Sequence, residues 1–546
     1  MEGGRKMRRW MILFWLMGSG TCILTAAIGT VDSELQRVKE TYRRLLLHAP
    51  EQSDTLQADF VRIPPETELS DQVVVELHQR YPVDRQKVEA CLAAQRADGS
   101  WPDIDYADTK RSGWEPKQHA ERMLELARVY RTPGSEWKDS EQVRQALHRA
   151  MNYWFTRRPR CLNWWYNEIG VPKTLGAAFL LLEEELTDEE RQAAIDVMKA
   201  ARFRMTGQNK VWLAGNVLVR ALLQDDRELV QAARDTIASE ICLGRTEGIQ
   251  PDWSFHQHGP QQQFGNYGLS YLSGMAFYAR LFHDTSFAFS LPQQNILHAL
   301  VDEGYRWVVW QRHMDVSALG RQFFHHAQLH KAYGVAFAAA DLGLDGFPKQ
   351  GNPLVGHKHF GCSDYTVHRC PDWMATVKMS SSRVIGTELV NEDNLKGYYM
   401  GDGATFFYRR GDEYLDVFPF WDWRKVPGVT AYEDRAPMPV MRSARQNNRS
   451  GNVGGLGDGR QGMTAMELDR DGLKGVKAWL FAEKFVVCLG AAVRSDSGCL
   501  STAAGRDGGE GISSVGAGSV LRVAGGRGMV RPSFGGISGG LSVGRG

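Results

Sequence analysis

Between residues 34 and 343 the apolar positions recur at helical spacing. Ala120, Met123, Leu124, Ala127 and Tyr130 share one face of a predicted helix over Lys117–Tyr130, and Pro133 follows its end. Val143, Leu147, Ala150 and Trp154 repeat that cadence, as do Leu175, Ala178, Phe179 and Leu182. The segments Ile195–Met198, Val217–Leu223, Leu229–Ile241 and Leu269–Leu281 continue it, with short polar connections between them. Such a series, with few strand-like runs, predicts a layered all-α domain of the helical-toroid kind. Near Gly343–Gly351 the pattern changes. Met374–Met379, Thr405–Tyr408, Tyr414–Phe418, Met463–Leu468 and Val476–Phe481 read as strands, and Phe485–Leu489 closes a hairpin with the last. The expected fold is therefore α+β multidomain: an N-terminal (α/α) helical toroid over 31–345, then an antiparallel β-sandwich over 346–495.

The two ends differ from this body. Arg5, Lys6, Arg8 and Arg9 precede an apolar run from Trp10 to Met17, and Thr25-Ala26-Ala27 offers small residues for cleavage, so 1–30 reads as an export signal. That predicts a secreted or periplasmic protein with no stable membrane partner beyond the signal. From Asp496 to residue 546 the chain is rich in Gly, and Phe534 is its only aromatic. Such a composition cannot bury much apolar surface, so an aberrant or disordered tail is expected, with the sheet domain incomplete.

Composition narrows the function. A length of 546 residues implies more than one core. The net charge of +1 supplies no global field, so an acidic substrate needs a local basic cleft, and no nucleic-acid motif is present. The eight Cys show no CxxC pair and no zinc spacing; Cys362 and Cys370 are near enough in sequence for a local bridge.

The richest chemistry lies in Pro251-Asp252-Trp253-Ser254-Phe255-His256-Gln257-His258, followed by Gln261-Gln262-Gln263 and Gly265-Asn266-Tyr267-Gly268. Two His, a Tyr and several amides occupy a stretch without apolar periodicity just before a helix, the setting of a functional loop on a rigid scaffold. Taken singly, each of these residues reads more readily as ordinary packing.

In order along the chain, this segment joins five others: Asn163-Trp164-Trp165-Tyr166-Asn167-Glu168-Ile169-Gly170, Thr206-Gly207-Gln208-Asn209, Gly320-Arg321, Glu388-x-x-Asn391-x-x-Asn394 with Gly397-Tyr398-Tyr399, and Phe418-Pro419-Phe420-Trp421-Asp422-Trp423-Arg424-Lys425-Val426-Pro427-Gly428. Together they resemble polysaccharide lyase family 8, which contains chondroitin AC, hyaluronate and xanthan lyases. The resemblance runs from about residue 35 to 495, and the spacing of nine from His258 to Tyr267 matches.

It implies β-elimination on a uronate-containing acidic polysaccharide by a monomer. Asn209 would donate to the uronate carboxylate, although the residue alone reads as a helix cap. Tyr267 would act as base and then acid. Arg321 would stabilise its phenolate, against a plain reading as a surface ion pair. His258 would contact the carboxylate region, with His256 the weaker candidate by spacing. Glu388 would orient His258 or Arg321, and Asn391 would close the site from the sheet domain. Trp164 and Trp165 would stack on sugar rings. His325 stands where the family often has a second Arg, four residues after the first, and is carried as a substrate contact that puts subsite charge in question. The chemistry needs no cofactor and no catalytic metal, though a structural cation is allowed. Two other classes compete. One is a glycoside hydrolase on a helical toroid, using Asp103, Asp105 and Glu168. The other is an inactive, truncated polysaccharide-binding protein.

Overall fold

The computed structural model describes residues 33–47, 84–244, 246–344, 354–390, 393–433, 437–441 and 444–496, and the backbone of 500–502 and 520–524. The expected export segment and Asn391 lie outside the described residues.

Local signals account for the helices. The helix Asp188–Met198 opens with a capping box: Thr187 accepts from the Glu190 N–H while Glu190 reaches back, and three acids occupy its first turn. Lys117–Arg131 buries Ala120, Met123, Ala127 and Tyr130, the stripe read from the sequence. Val171–Leu181 is apolar almost all round. It packs between Lys117–Arg131 and Gly207–Leu223, as a central helix must. Gly207–Leu223 in turn carries Arg227–Ala238, and Leu269–Phe282 packs on Ala327–Asp341.

Two antiparallel sheets follow. One runs in the order Gly356–Phe360, Tyr365–Arg369, Met374–Lys378, Ala404–Tyr408. The other runs Val453–Gly457, Gly462–Arg470, Leu473–Ala482, Phe485–Ser495, Val520–Ala524. Trp373, Ala375, Val377 and Met379 of the first face Met466, Leu468, Trp479 and Phe481 of the second. The first sheet's other face, with Tyr365, Val367, Phe406 and Tyr408, joins the helical core. It is thus a middle layer covered on both sides.

Its seam with the helices is polar at the centre. Asp315 is fully buried and accepts from Tyr365 Oη (2.9 Å), Tyr408 Oη (2.7 Å) and Thr376 Oγ1 (2.8 Å), all from the sheet. Burial pushes its carboxyl up, and these bonds pull against that shift. Arg369 crosses in the other direction, donating to the carbonyls of Arg306 (2.9 Å) and Val309 (2.8 Å).

Three expectations need correction. Tyr414–Phe418 is not a strand: Asp416 turns left-handed at φ 58°, and Tyr414 packs its ring on Phe406 and Tyr408. Cys362 and Cys370 are free thiols; Cys370 donates to the Glu483 carbonyl at 3.0 Å. Two short strands lie within the segment expected to lack structure: Leu500–Thr502 pairs with Thr430–Tyr432, and Val520–Ala524 extends the five-stranded sheet.

Candidate active site

The segment 251–268 is held by side chains that reach its backbone. Glu247 accepts from the N–H groups of His258 (2.8 Å) and Gly259 (3.2 Å), and from Thr206 Oγ1 (2.6 Å). His258 is thereby fixed at φ 61°, a conformation that a non-glycine residue adopts only when its surroundings impose it. Ile385 N–H donates to the Pro260 carbonyl at 2.9 Å, so the loop is also tied to the sheet domain.

Asn209 stands in the first turn of Gly207–Leu223 but does not cap it. Glu240 accepts from the Gly207 N–H (3.0 Å), and Gln257 from the Gln208 N–H (2.8 Å). Gly207 makes this possible: at φ 57°, a Cβ would lie 2.3 Å from Gln257 Oε1. With the orphan N–H groups satisfied elsewhere, the Asn209 side chain is free for other work, and its Oδ1 is buried without a hydrogen-bond partner. Trp212 lies three residues on, over the same helix face, and its ring is 5.5 Å from that of Tyr267.

Tyr267 sits in a widened helical turn, Phe264–Gly268, that leads into Leu269–Phe282. Its ring meets the His258 ring edge-on at 4.6 Å, and the Arg321 guanidinium lies 5.7 Å from its centre. Burial lowers the pKa of His258, opposed by Glu388, which favours a neutral imidazole. Arg321 is not a surface ion pair. Its side chain is 11% exposed and binds fully buried Glu388 through Nη1, with Asp393 Oδ2 3.2 Å from Nε. Glu388 also accepts from Asn266 Nδ2 at 3.0 Å and lies 4.0 Å from His258 Nδ1. Burial opposes the charge of Glu388, but Arg321 and Asn266 outweigh it, so its carboxyl lies below the usual range. Gly320 permits this approach: at φ 74°, a Cβ would lie 2.8 Å from Glu388 Oε2.

Lys331 lies beneath these groups, fully buried on Ala327–Asp341. Its ammonium donates to the carbonyls of Gly265 and Leu319 (2.9 Å) and to Gln322 Oε1 (3.1 Å). One cation thus braces the turn of Tyr267 and the loop of Arg321. Burial brings its pKa down to about 7.

The structure therefore joins Tyr267, His258, Arg321 and Glu388 by direct contact, and Asn209 lies on the helix whose Trp212 ring meets Tyr267. His256 is turned away, its Nε2 3.0 Å from Ser363 Oγ in the sheet domain. Trp164 lies under the Arg204 guanidinium at 4.9 Å, and Trp165 meets Trp212 at 5.7 Å, so a line of half-buried indoles leads toward Tyr267. His325, expected as a substrate contact, is exposed and meets Asp416. With His326 and Asp416 it forms a group of three ligand-type side chains, although the sequence carries no metal spacing. Trp212, Glu247, Asn266, Lys331 and Asp416 were not singled out from the sequence. The amide-rich loop was a faint sign for Asn266, and the others carry no local signal.

Comparison with known proteins places the two domains in one family. Residues 66–351 match the profile described as the polysaccharide lyase family 8 N-terminal alpha-helical domain, and 355–504 match that family's super-sandwich domain. The chain is 30% identical to chondroitinase-AC of Pedobacter heparinus over 430 residues, covering 75% of this chain and 61% of the relative. It is 26% identical to a hyaluronate lyase of Thermasporomyces composti over 471 residues, covering 73% and 59%. The chain thus spans about three-fifths of the length of these curated relatives. A solved chondroitinase AC lyase, studied with oligosaccharides, superposes with a TM-score of 0.73 at 27% identity, over 86% of this chain and 68% of that one.

Proposed function

The chain belongs to polysaccharide lyase family 8, and from that premise we propose that it cleaves a uronate-containing, chondroitin- or hyaluronan-type polysaccharide by β-elimination. The observation that carries this reading is that the Tyr267 ring meets both the His258 ring and the Arg321 guanidinium, with buried Glu388 bonded to Arg321 and facing His258.

The proposed step uses these residues in turn. Asn209 and His258 hydrogen-bond the uronate carboxylate and stabilise the charge that develops on it as the C5 proton leaves. The Tyr267 phenolate, favoured by Arg321, takes that proton. The electron pair forms the C4–C5 double bond, the C4–oxygen bond breaks, and the new Tyr267 phenol protonates the departing oxygen. The proton has moved from carbon to oxygen, and no water is consumed. Glu388 keeps Arg321 in place and faces His258. Trp164 and Trp165 offer ring faces to the sugars, and Asn391 and His325 are assigned to substrate contact. This residue set needs no redox cofactor. The basic, apolar N-terminal run supports export to the periplasm or medium, and the protein acts as a monomer.

The carboxylates of the hydrolase alternative are otherwise engaged. Arg122 donates to Asp103 at 2.8 Å and holds its carboxyl low, the opposite of what a general acid requires, and Glu168 pairs with Arg204. Digestion in heavy-oxygen water separates the two classes. Elimination predicts unsaturated products without solvent oxygen at the cleaved bond; one heavy oxygen per cut would establish hydrolysis instead.

A further inference from the structure

His325 and His326 end the loop that begins at Arg321, immediately before Ala327–Asp341. Asp416 lies on the sheet side, between the strand Ala404–Tyr408 and the Phe418–Phe420 turn. His325 Nδ1 is 3.0 Å from Asp416 Oδ2, His326 Nε2 is 3.1 Å from the same oxygen, and all three ligand atoms lie within 4.8 Å of one another. We propose that His325, His326 and Asp416 form a binding site for a divalent transition metal of the zinc type, bridging the helical and sheet domains.

Four features support the assignment. Two imidazoles and one carboxylate form a donor set suited to zinc, cobalt or nickel, whereas calcium and magnesium prefer oxygen throughout. Metal–ligand bonds of about 2.0–2.1 Å in a tetrahedron place donors about 3.3 Å apart, so the two nitrogen–carboxylate separations, 3.0 and 3.1 Å, need open by only a few tenths of an ångström. The carboxylate is held by a second bond: its Oδ1 accepts from the His326 N–H at 2.6 Å. The fixed carboxylate is the kind of support that metal ligands use. Finally, His326 at φ 59° and Asp416 at φ 58° both adopt the left-handed conformation, so the backbone on each side of the contact is held in a defined turn.

The plain alternative is a pair of imidazoles hydrogen-bonded to a carboxylate. That requires both stacked rings, 3.7 Å apart, to donate an N–H to one oxygen. A metal at the same point takes a lone pair from each ring and the carboxylate as third ligand. The His325 side chain is 77% exposed, so the fourth position opens to solvent and accepts water or an anionic group.

The test does not depend on the lyase reading, because it uses no polysaccharide. The full chain, stripped with a chelator, is titrated with zinc chloride by calorimetry and with cobalt chloride by visible absorption. One saturable zinc per chain is expected, with cobalt bands of low-symmetry coordination. His325→Ala and Asp416→Asn should each weaken binding by more than roughly tenfold while circular dichroism stays unchanged. Absence of one-equivalent binding would overturn the proposal, as would His325→Ala protein that binds as tightly as wild type. Because His325 is exposed, that variant decides the matter even if Asp416→Asn folds poorly.

Discussion

Two contacts join the helical and sheet domains from one short loop, and they differ in kind. Arg321 enters a buried pocket and meets Glu388, whose side chain is fully buried. Four residues later the exposed His325 meets the half-buried Asp416. The first contact is inseparable from the fold. A buried ion pair offsets its desolvation only while both partners and their hydrogen bonds remain, so removing one strands a charge. The second places an exposed imidazole, His325, against the half-buried Asp416 and His326. The lesson is that the depth of a contact across one seam decides whether it fixes geometry or offers open ligand positions. Tyr267 draws on the fixed kind, and the proposed metal on the open kind.

The largest effect that would break this contrast is at Glu388. Glu388→Ala should cost about 3–5 kcal/mol of stability, read from denaturant midpoints; a change below about 1 kcal/mol would mean that the pair is solvated after all. The double variant Arg321→Met, Glu388→Leu should regain most of that stability without regaining cleavage. Lys331→Met comes next. It leaves the Gly265 and Leu319 carbonyls buried without their donor, at about 1–3 kcal/mol for a stranded group. Its kcat should fall more than its KM rises, because Tyr267 and Arg321 lose their common brace.

Acid tests the same pocket more gently. The carboxyl of Glu388 is held below 4.5 in the folded chain. The stability contributed by its charge is therefore present above that pH and is lost as pH falls through the folded value. Glu388→Gln should remove that acid-dependent component from the stability profile. The smallest effect is at the exposed contact: His325→Ala in chelator should change stability by no more than about 0.5 kcal/mol. A change of several kcal/mol there would erase the distinction.

The sequence exposed these two regions unevenly. Helices with one apolar stripe, such as Lys117–Arg131, were legible because a half-buried surface repeats with the helix. Strands of the middle sheet were harder: Tyr365–Arg369 is buried at every position and shows no alternation. Tyr414–Phe418 looked like a strand by its aromatic and β-branched residues, but left-handed Asp416 breaks the extended path. Within the site, Tyr267 and His258 came from one loop and a fixed spacing. Asn209 resembled a cap until Glu240 and Gln257 were seen to satisfy that helix end. Lys331 had no local signal, since a Lys on a helix ordinarily faces water. Asp416 lies ninety residues beyond His326, and only folding brings them together.

In the proposed elimination Tyr267, in contact with His258 and Arg321, moves the proton. The most direct measurement incubates wild-type and Tyr267→Phe protein with chondroitin sulfate and with hyaluronan and follows the ultraviolet absorbance of the conjugated double bond. A steady rise is expected with wild type, and a loss of at least about a hundredfold with folded Tyr267→Phe protein. Equal rates from the two proteins would contradict it.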